Sequence, residues 1–145
     1  MNALKEILTK DKVLLQADVA DWEEAVRLGA KLLEDAGATE PRYAEAIIRF
    51  TGEMGPYYVI APGLAMPHAR PEDGVLETCL SLITLKKPVN FGSSNDPVDI
   101  LVTLAAKDNT GHIEALRQVA TVFSDSDTFS KIREAVSHEQ LIKLL

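Results

Sequence analysis

Residues 98–106 read Val-Asp-Ile-Leu-Val-Thr-Leu-Ala-Ala, an almost continuous apolar run between Pro97 and the polar stretch Lys107-Asp108-Asn109-Thr110-Gly111. A strand that exposes one face to water alternates apolar and polar residues, and this run does not. It suits a sheet covered on both faces, and it is the best central strand of the chain. Residues 78–85, rich in Leu and Ile and bounded by Gly74 and Pro88, supply a second strong strand. Shorter extended segments are expected at 13–15, at 57–60 before Pro62-Gly63, at 64–66 ending at Pro67-His68, and briefly at 89–91. Ser93-Ser94-Asn95-Asp96-Pro97 reads as a turn.

The covering layers must come from helices. A short one is expected over 3–8. Asp21 is a good N-cap, with Glu24 in the capping-box position, and Trp22, Ala25, Leu28, Leu32 and Leu33 form the stripe of a helix stopped by Gly37. Glu40-Pro41 opens the next, with Pro41 near its first turn and Gly55-Pro56 at its end. After residue 111 a helix carries Ile113, Leu116, Val119, Ala120 and Phe123 on one face. Another begins with Phe129, Ile132 and Val136, and Ser137 caps a last one with Gln140 in the box position. The expected fold is α/β, with α+β character: a single domain over 1–145, a mixed β-sheet flanked by helices on both faces. The N-terminal helices are too few to form a core of their own.

Charge and composition narrow the function. With 22 acidic against 15 basic residues, the net charge is -7, and no basic patch stands against phosphate repulsion, so nucleic acid is not an expected partner. Lys86-Lys87, the only basic doublet, is read as part of a turn. The single cysteine, Cys79, excludes an internal disulfide and reads as a reduced core residue. No signal peptide and no apolar stretch near ~20 residues is visible, so membrane insertion is not expected and the cytosol is the expected compartment.

The segment richest in chemical information is Met66-Pro67-His68-Ala69-Arg70-Pro71. Two prolines restrict the backbone around one imidazole, a side chain that titrates near neutrality and is a good nucleophile. His112 follows the most apolar strand at the start of a helix, where free N–H groups favour an anion. His138, in the first turn of the last helix, reads as a surface residue. His68 and His112 together suggest phosphate handling: one imidazole attacks phosphorus, the other hydrogen-bonds, and Arg70 adds planar charged donors. Each histidine taken alone also fits a plain loop or helix-start residue. Asp73 or Asp108 could join the histidines around a metal, but no close-spaced ligand pattern exists, and neither a metal nor a cofactor is expected. A Gly-x-Ser-x-Gly elbow and a Gly-rich nucleotide loop are both absent. A phosphoryl group handled here would come from one protein and leave to another.

Two longer stretches, Gly63-Leu64-Ala65-Met66-Pro67-His68-Ala69 and Asp108-Asn109-Thr110-Gly111-His112-Ile113-Glu114-Ala115-Leu116, carry a resemblance. The chain resembles, over essentially its whole length, the mannitol/fructose-type enzyme IIA components of the bacterial phosphoenolpyruvate-dependent sugar phosphotransferase system. Residues 55–63 and the Arg70-Pro71 extension look most like the L-ascorbate branch. The resemblance implies a mixed sheet flanked by helices, phosphorylation at His68 and an assisting role for His112. It implies partners: the phosphorylated histidine carrier protein as donor, an enzyme IIB that accepts on cysteine, and indirectly the membrane enzyme IIC. Mannitol-type members have an arginine where this chain has Phe50, with Arg49 one position away, so Arg70 is the expected phosphate-stabilising cation and Arg49 its reserve. Two other readings stay open: a regulatory IIA-like phosphoprotein not coupled to transport, and a small hydrolase or isomerase using the two histidines as base and acid.

Overall fold

In the computed structural model, which describes residues 3–145, a five-stranded sheet is built from β1 (Val13–Ala17), β2 (Val59–Ala61), β3 (Leu64–Ala65), β4 (Cys79–Val89) and β5 (Val98–Ala105). The order across the sheet is β1-β4-β5-β3-β2, so the apolar run does form the middle strand. β1 lies parallel to β4, β4 antiparallel to β5, β5 parallel to β3, and β3 antiparallel to β2. The helices are α1 (Ala3–Ile7), α2 (Trp22–Asp35), α3 (Tyr43–Met54), α4 (Asn109–Phe123), α5 (Ser126–Glu134) and α6 (His138–Leu144).

Alternate residues of the central strands feed two separate cores. Ile83, Leu101 and Ala105 pack under α2 and α3, with Ala25, Val26, Leu33, Tyr43 and Ile47. Leu80, Leu82, Ile100, Val102 and Leu104 pack under α1 and α4–α6, with Leu4, Ala115, Val119, Ile132 and Leu141. Both faces are apolar, which is why the sequence does not alternate. The α2 side has one polar seam. A Cβ built on Gly29 would lie 2.3 Å from the Thr103 hydroxyl, and Ser81 donates to the Gly29 carbonyl at 2.8 Å. Only glycine lets α2 approach the sheet so closely there.

Caps fall where side-chain chemistry placed them. Asp21 accepts from the Glu24 amide at 2.9 Å and Ser137 from that of Gln140 at 3.2 Å. Four expectations need correction. α3 begins at Tyr43, because Thr39 bridges Val75 and the Glu40 amide donates to the Gly74 carbonyl at 2.8 Å, which keeps the chain out of the helix through Glu40 and leaves Pro41 and Arg42 as a turn ahead of it. Lys86-Lys87 lies within β4; the register shifts between Thr84 and Val89, so Pro88 is tolerated in an irregular end of the strand. On α4 the buried stripe is Ala115, Val119 and Phe123, while Ile113 and Ala120 face outward. α5 starts at Ser126, capped by Asp125, and ends before Val136, whose amide donates to Gln140 Oε1 as part of the next helix start.

Candidate active site

The sheet topology brings the two histidine segments together. β3 and β5 are adjacent and parallel, so the chain leaves both at the same end of the sheet. After β3 it forms the Met66–Arg70 loop; after β5 it turns through Ala106–Asp108 into α4. Gly63, at φ +82°, makes the tight β2–β3 connection that aims the loop there; a side chain would meet the Arg133 guanidinium at 2.9 Å. The loop is then pinned by backbone bonds, Met66 N–H to the Tyr58 carbonyl at 2.8 Å and Leu104 N–H to the Pro67 carbonyl at 2.9 Å. His112 sits four residues beyond Asp108, which caps α4 by accepting from the Gly111 amide at 2.8 Å. The His68 and His112 rings meet with centroids 5.0 Å apart and planes at 68°.

His68 is half-buried, and its Nδ1 lies 2.8 Å from the Met66 carbonyl. A carbonyl only accepts, so Nδ1 carries the proton and Nε2 keeps its lone pair. Burial pushes the His68 pKa below the usual 6.5; the Met66 carbonyl opposes this, and the positive charge that His112 can carry adds to it. The neutral, nucleophilic ring therefore dominates at pH 7. In the unfolded chain the same ring takes its proton near 6.5, so this group withdraws stability as the pH falls through 6.5 toward the folded value. A proton-NMR titration should place the His68 midpoint below 6.5, and His112→Gln should raise it without fully restoring 6.5, since burial is the larger cause. A midpoint that does not respond to His112→Gln would show that the two rings are electrostatically independent.

Arg70 lines the same cleft, but its guanidinium is engaged. Nε and Nη2 donate to the Asp73 carboxylate at 3.1 and 3.3 Å, and the Arg70 backbone amide donates to Asp73 Oδ2 at 2.9 Å. The guanidinium also lies over the Phe50 ring, 4.8 Å from its centroid. Arg49 reaches the same two partners more loosely, 3.9 Å from Asp73 and 5.1 Å from the Phe50 centroid. Burial tends to raise the Asp73 pKa, but the Arg70 hydrogen bonds prevail and hold it below the ordinary carboxylate value. The two candidate arginines thus converge on one carboxylate, and of the two it is Arg70 that borders the histidines.

The cleft has a volume of about 210 Å³ and is walled by His68, Ala69, Arg70, Pro71, Ala106, Asp108, Asn109 and His112. Sites for small organic ligands typically occupy ~300–1,000 Å³, so the histidines front a space suited to a phosphoryl group more than to an enclosed substrate. A wider groove of about 580 Å³ lies elsewhere, between Lys10, Val13–Leu15 and Val136–Glu139, and His138 is the histidine on its wall. His138 Nε2 is engaged with the Leu8 carbonyl at 2.8 Å, tying α6 to the end of α1; it is half-buried, not a free surface residue. Leu64 and Met66 have side chains fully buried in the core, and Met66 meets His68 through its carbonyl. Cys79 is a buried free thiol. Among the described residues no group of three or more His, Cys, Asp or Glu side chains is arranged to hold a metal ion, and no helix is long and apolar enough to cross a membrane.

Sequence reasoning missed Tyr57 and Tyr43. The Tyr57 ring stands edge-on to His68 at 90°, centroids 5.3 Å apart, and its hydroxyl donates to the His68 carbonyl. Tyr43 accepts from the Ala69 amide at 3.0 Å. Both contacts are tertiary and leave no local spacing signal. Asp73 had one: Arg70-Pro71-Glu72-Asp73 has the form of a cap three residues ahead of its acid.

The chain matches known proteins over nearly its whole length. A family model described as "Phosphoenolpyruvate-dependent sugar phosphotransferase system, EIIA 2" matches residues 6–145. The ascorbate-specific PTS system EIIA component of Escherichia coli K12 is 46% identical over 145 residues, covering 98% of this chain and 94% of that protein. A PTS IIA protein of Streptococcus mutans superimposes with a TM-score of 0.89 at 36% identity, covering 98% of this chain and 89% of the other. The mannitol-specific cryptic phosphotransferase enzyme IIA of Escherichia coli gives 0.88 at 33%, covering 99% and 97%. With the family model matching nearly the whole chain and relatives of 33–46% identity covering 98–99% of it, the chain belongs to the EIIA 2 family of the phosphoenolpyruvate-dependent sugar phosphotransferase system.

Proposed function

We propose that this chain accepts a phosphoryl group on His68 Nε2 from the phosphorylated histidine carrier protein and passes it to an enzyme IIB, on a cysteine, for uptake of L-ascorbate or a related sugar through a membrane enzyme IIC. The observation that carries the reading is the tether of His68 Nδ1 to the Met66 carbonyl, which leaves Nε2 as the nucleophile beside His112. Nε2 attacks phosphorus in line with the donor's N–P bond. The new Nε2–P bond forms as that bond breaks, and the donor imidazole leaves with the electron pair. Positive charge developing on the His68 ring is met by the Met66 carbonyl, which already accepts its Nδ1–H. The His112 ring is near enough to donate to a phosphoryl oxygen, and the N-terminus of α4 adds favourable potential. Catalysis is positioning and charge stabilisation, since a P–N bond is exchanged for a bond of similar energy. The ascorbate assignment rests on the 46% identity to a protein of that specificity, which also favours transport over regulation alone. The small cleft disfavours a hydrolase or isomerase.

The test is incubation with phosphoenolpyruvate, enzyme I and the carrier, followed by mapping of the acid-labile phosphate. Label is expected on His68 and should discharge to an ascorbate-type IIB much faster than to a mannitol-type IIB. Label on His112 or His138 with none on His68 overturns the site, and equal discharge to both IIB types overturns the sugar.

A further inference from the structure

The peptide group that follows His68 is gripped at both ends by tyrosine hydroxyls. Its carbonyl accepts from Tyr57, and its N–H, on Ala69, donates to Tyr43 Oη at 3.0 Å. Tyr43 in turn donates to the Leu104 carbonyl at 2.6 Å, so its oxygen links the loop to β5. The two tyrosines flank α3, Tyr43 as its first residue and Tyr57 just past its end at Met54. Tyr43 is fully buried and belongs to the core, whereas Tyr57 is 41% exposed. The Tyr57 ring rests edge-on against both His68, at 5.3 Å, and Tyr58, at 5.0 Å.

We propose that Tyr57 is a positioning residue for the phosphoryl-accepting imidazole, holding His68 in the tautomer and orientation that present Nε2. The inference rests on the assignment of His68 as acceptor. The Nδ1 bond to Met66 spans only two residues, so its geometry depends on the backbone torsions between them. Proline fixes φ at position 67. The freedom that remains is in χ1 and χ2 of His68, and the Tyr57 ring, tied to the loop by its hydroxyl bond to the His68 carbonyl, stands edge-on against the imidazole and limits both. Without the hydroxyl the Tyr57 ring loses its tie to the loop while Tyr43 still holds the 68–69 peptide; the imidazole gains freedom about χ1 and χ2, the Nδ1–H bond to Met66 loosens, and the proton can move to Nε2, where it blocks attack. Burial, and next the charge of Asp73, keep the Tyr57 hydroxyl protonated and therefore a donor.

The experiment compares the parent protein with Tyr57→Phe, which keeps the ring and deletes the hydroxyl. Nitrogen-15 NMR of the unphosphorylated proteins reads the His68 tautomer, and single-turnover transfer at saturating phosphorylated carrier reads the chemical step apart from docking. Tyr57→Phe is expected to bind the carrier like the parent, to gain signal from the Nε2–H tautomer, and to transfer about fivefold more slowly, the weight of one hydrogen bond. A parental tautomer and rate would overturn the proposal. So would a change in tautomer without a change in rate, a slower rate with the parental tautomer, or a loss confined to carrier affinity, which would make Tyr57 part of the docking rim. Absence of phosphate from His68 in the parent protein itself would instead sink the assignment of the acceptor, a result visible before any variant is examined.

Discussion

His68→Ala is expected to take up no acid-labile phosphate from the carrier and to melt within a few degrees of the parent. The first outcome follows from the arrangement of nitrogen lone pairs. His112 sits beside the cleft at the start of α4, and His138 is engaged at Leu8, so neither can inherit the in-line position of His68 Nε2. The second follows from burial. The His68 side chain is half-exposed and makes one side-chain hydrogen bond, to Met66. Its loss costs about 1 kcal/mol, which for a domain of this size is roughly 3–4 °C in Tm. The loop keeps its backbone bonds to Tyr58, Leu104, Tyr43 and Tyr57. Circular dichroism and phosphate mapping on the same sample check both. Residual phosphorylation on another histidine would mean that the cleft serves a different nucleophile.

The next largest effect is expected at Arg70. A guanidinium that meets the transferring oxygens contributes roughly 2–4 kcal/mol of transition-state stabilisation, about 30- to 1,000-fold in rate. Arg70→Ala should slow single-turnover transfer in that range at saturating carrier. Arg70→Lys should recover part of it, since lysine keeps the charge and loses the planar fork. Arg49→Ala should be mild, because Arg49 does not border the cleft and lies 3.9 Å from Asp73. Asp73 gives the prediction a second arm. It holds Arg70 from three nitrogens, so the arginine must share or leave that carboxylate to reach an incoming phosphoryl group. Normal single-turnover rates in Arg70→Ala, with weakened binding alone, would move Arg70 out to the partner-docking rim. A large defect in Arg49→Ala would transfer the role to Arg49.

The layered fold was legible because apolar patterning reports burial directly. The unalternating run at 98–106 demanded cover on both faces, and it lies between two cores. Segment ends were less legible where tertiary pairing overrode local chemistry. Pro41 has the look of a helix start, yet the Thr39 bridge to Val75 delays α3. Lys86-Lys87 looks like turn material, yet β4 continues through it in a broken register. Ile113 shares an apolar spacing with Leu116 but stands 57% exposed near the site, a placement that no periodicity within one helix can distinguish. The histidines were legible because proline and a helix start are local signals. Tyr57 was not, because its contact with His68 spans eleven residues of chain and depends on how α3 ends.

The shallowness of the cleft has a kinetic consequence. His68 Nε2, in a space of about 210 Å³ at the end of the sheet where β3 and β5 finish, offers every exchange partner the same line of approach. On the relay reading, donor and acceptor cannot be seated together, so turnover is ping-pong and each partner is a competitive inhibitor of the other. Discharged carrier that lingers blocks the waiting IIB just as effectively as an unrelated ligand would. Flux through the protein is then governed by dissociation rates, and tighter docking by either partner would slow the traffic it serves.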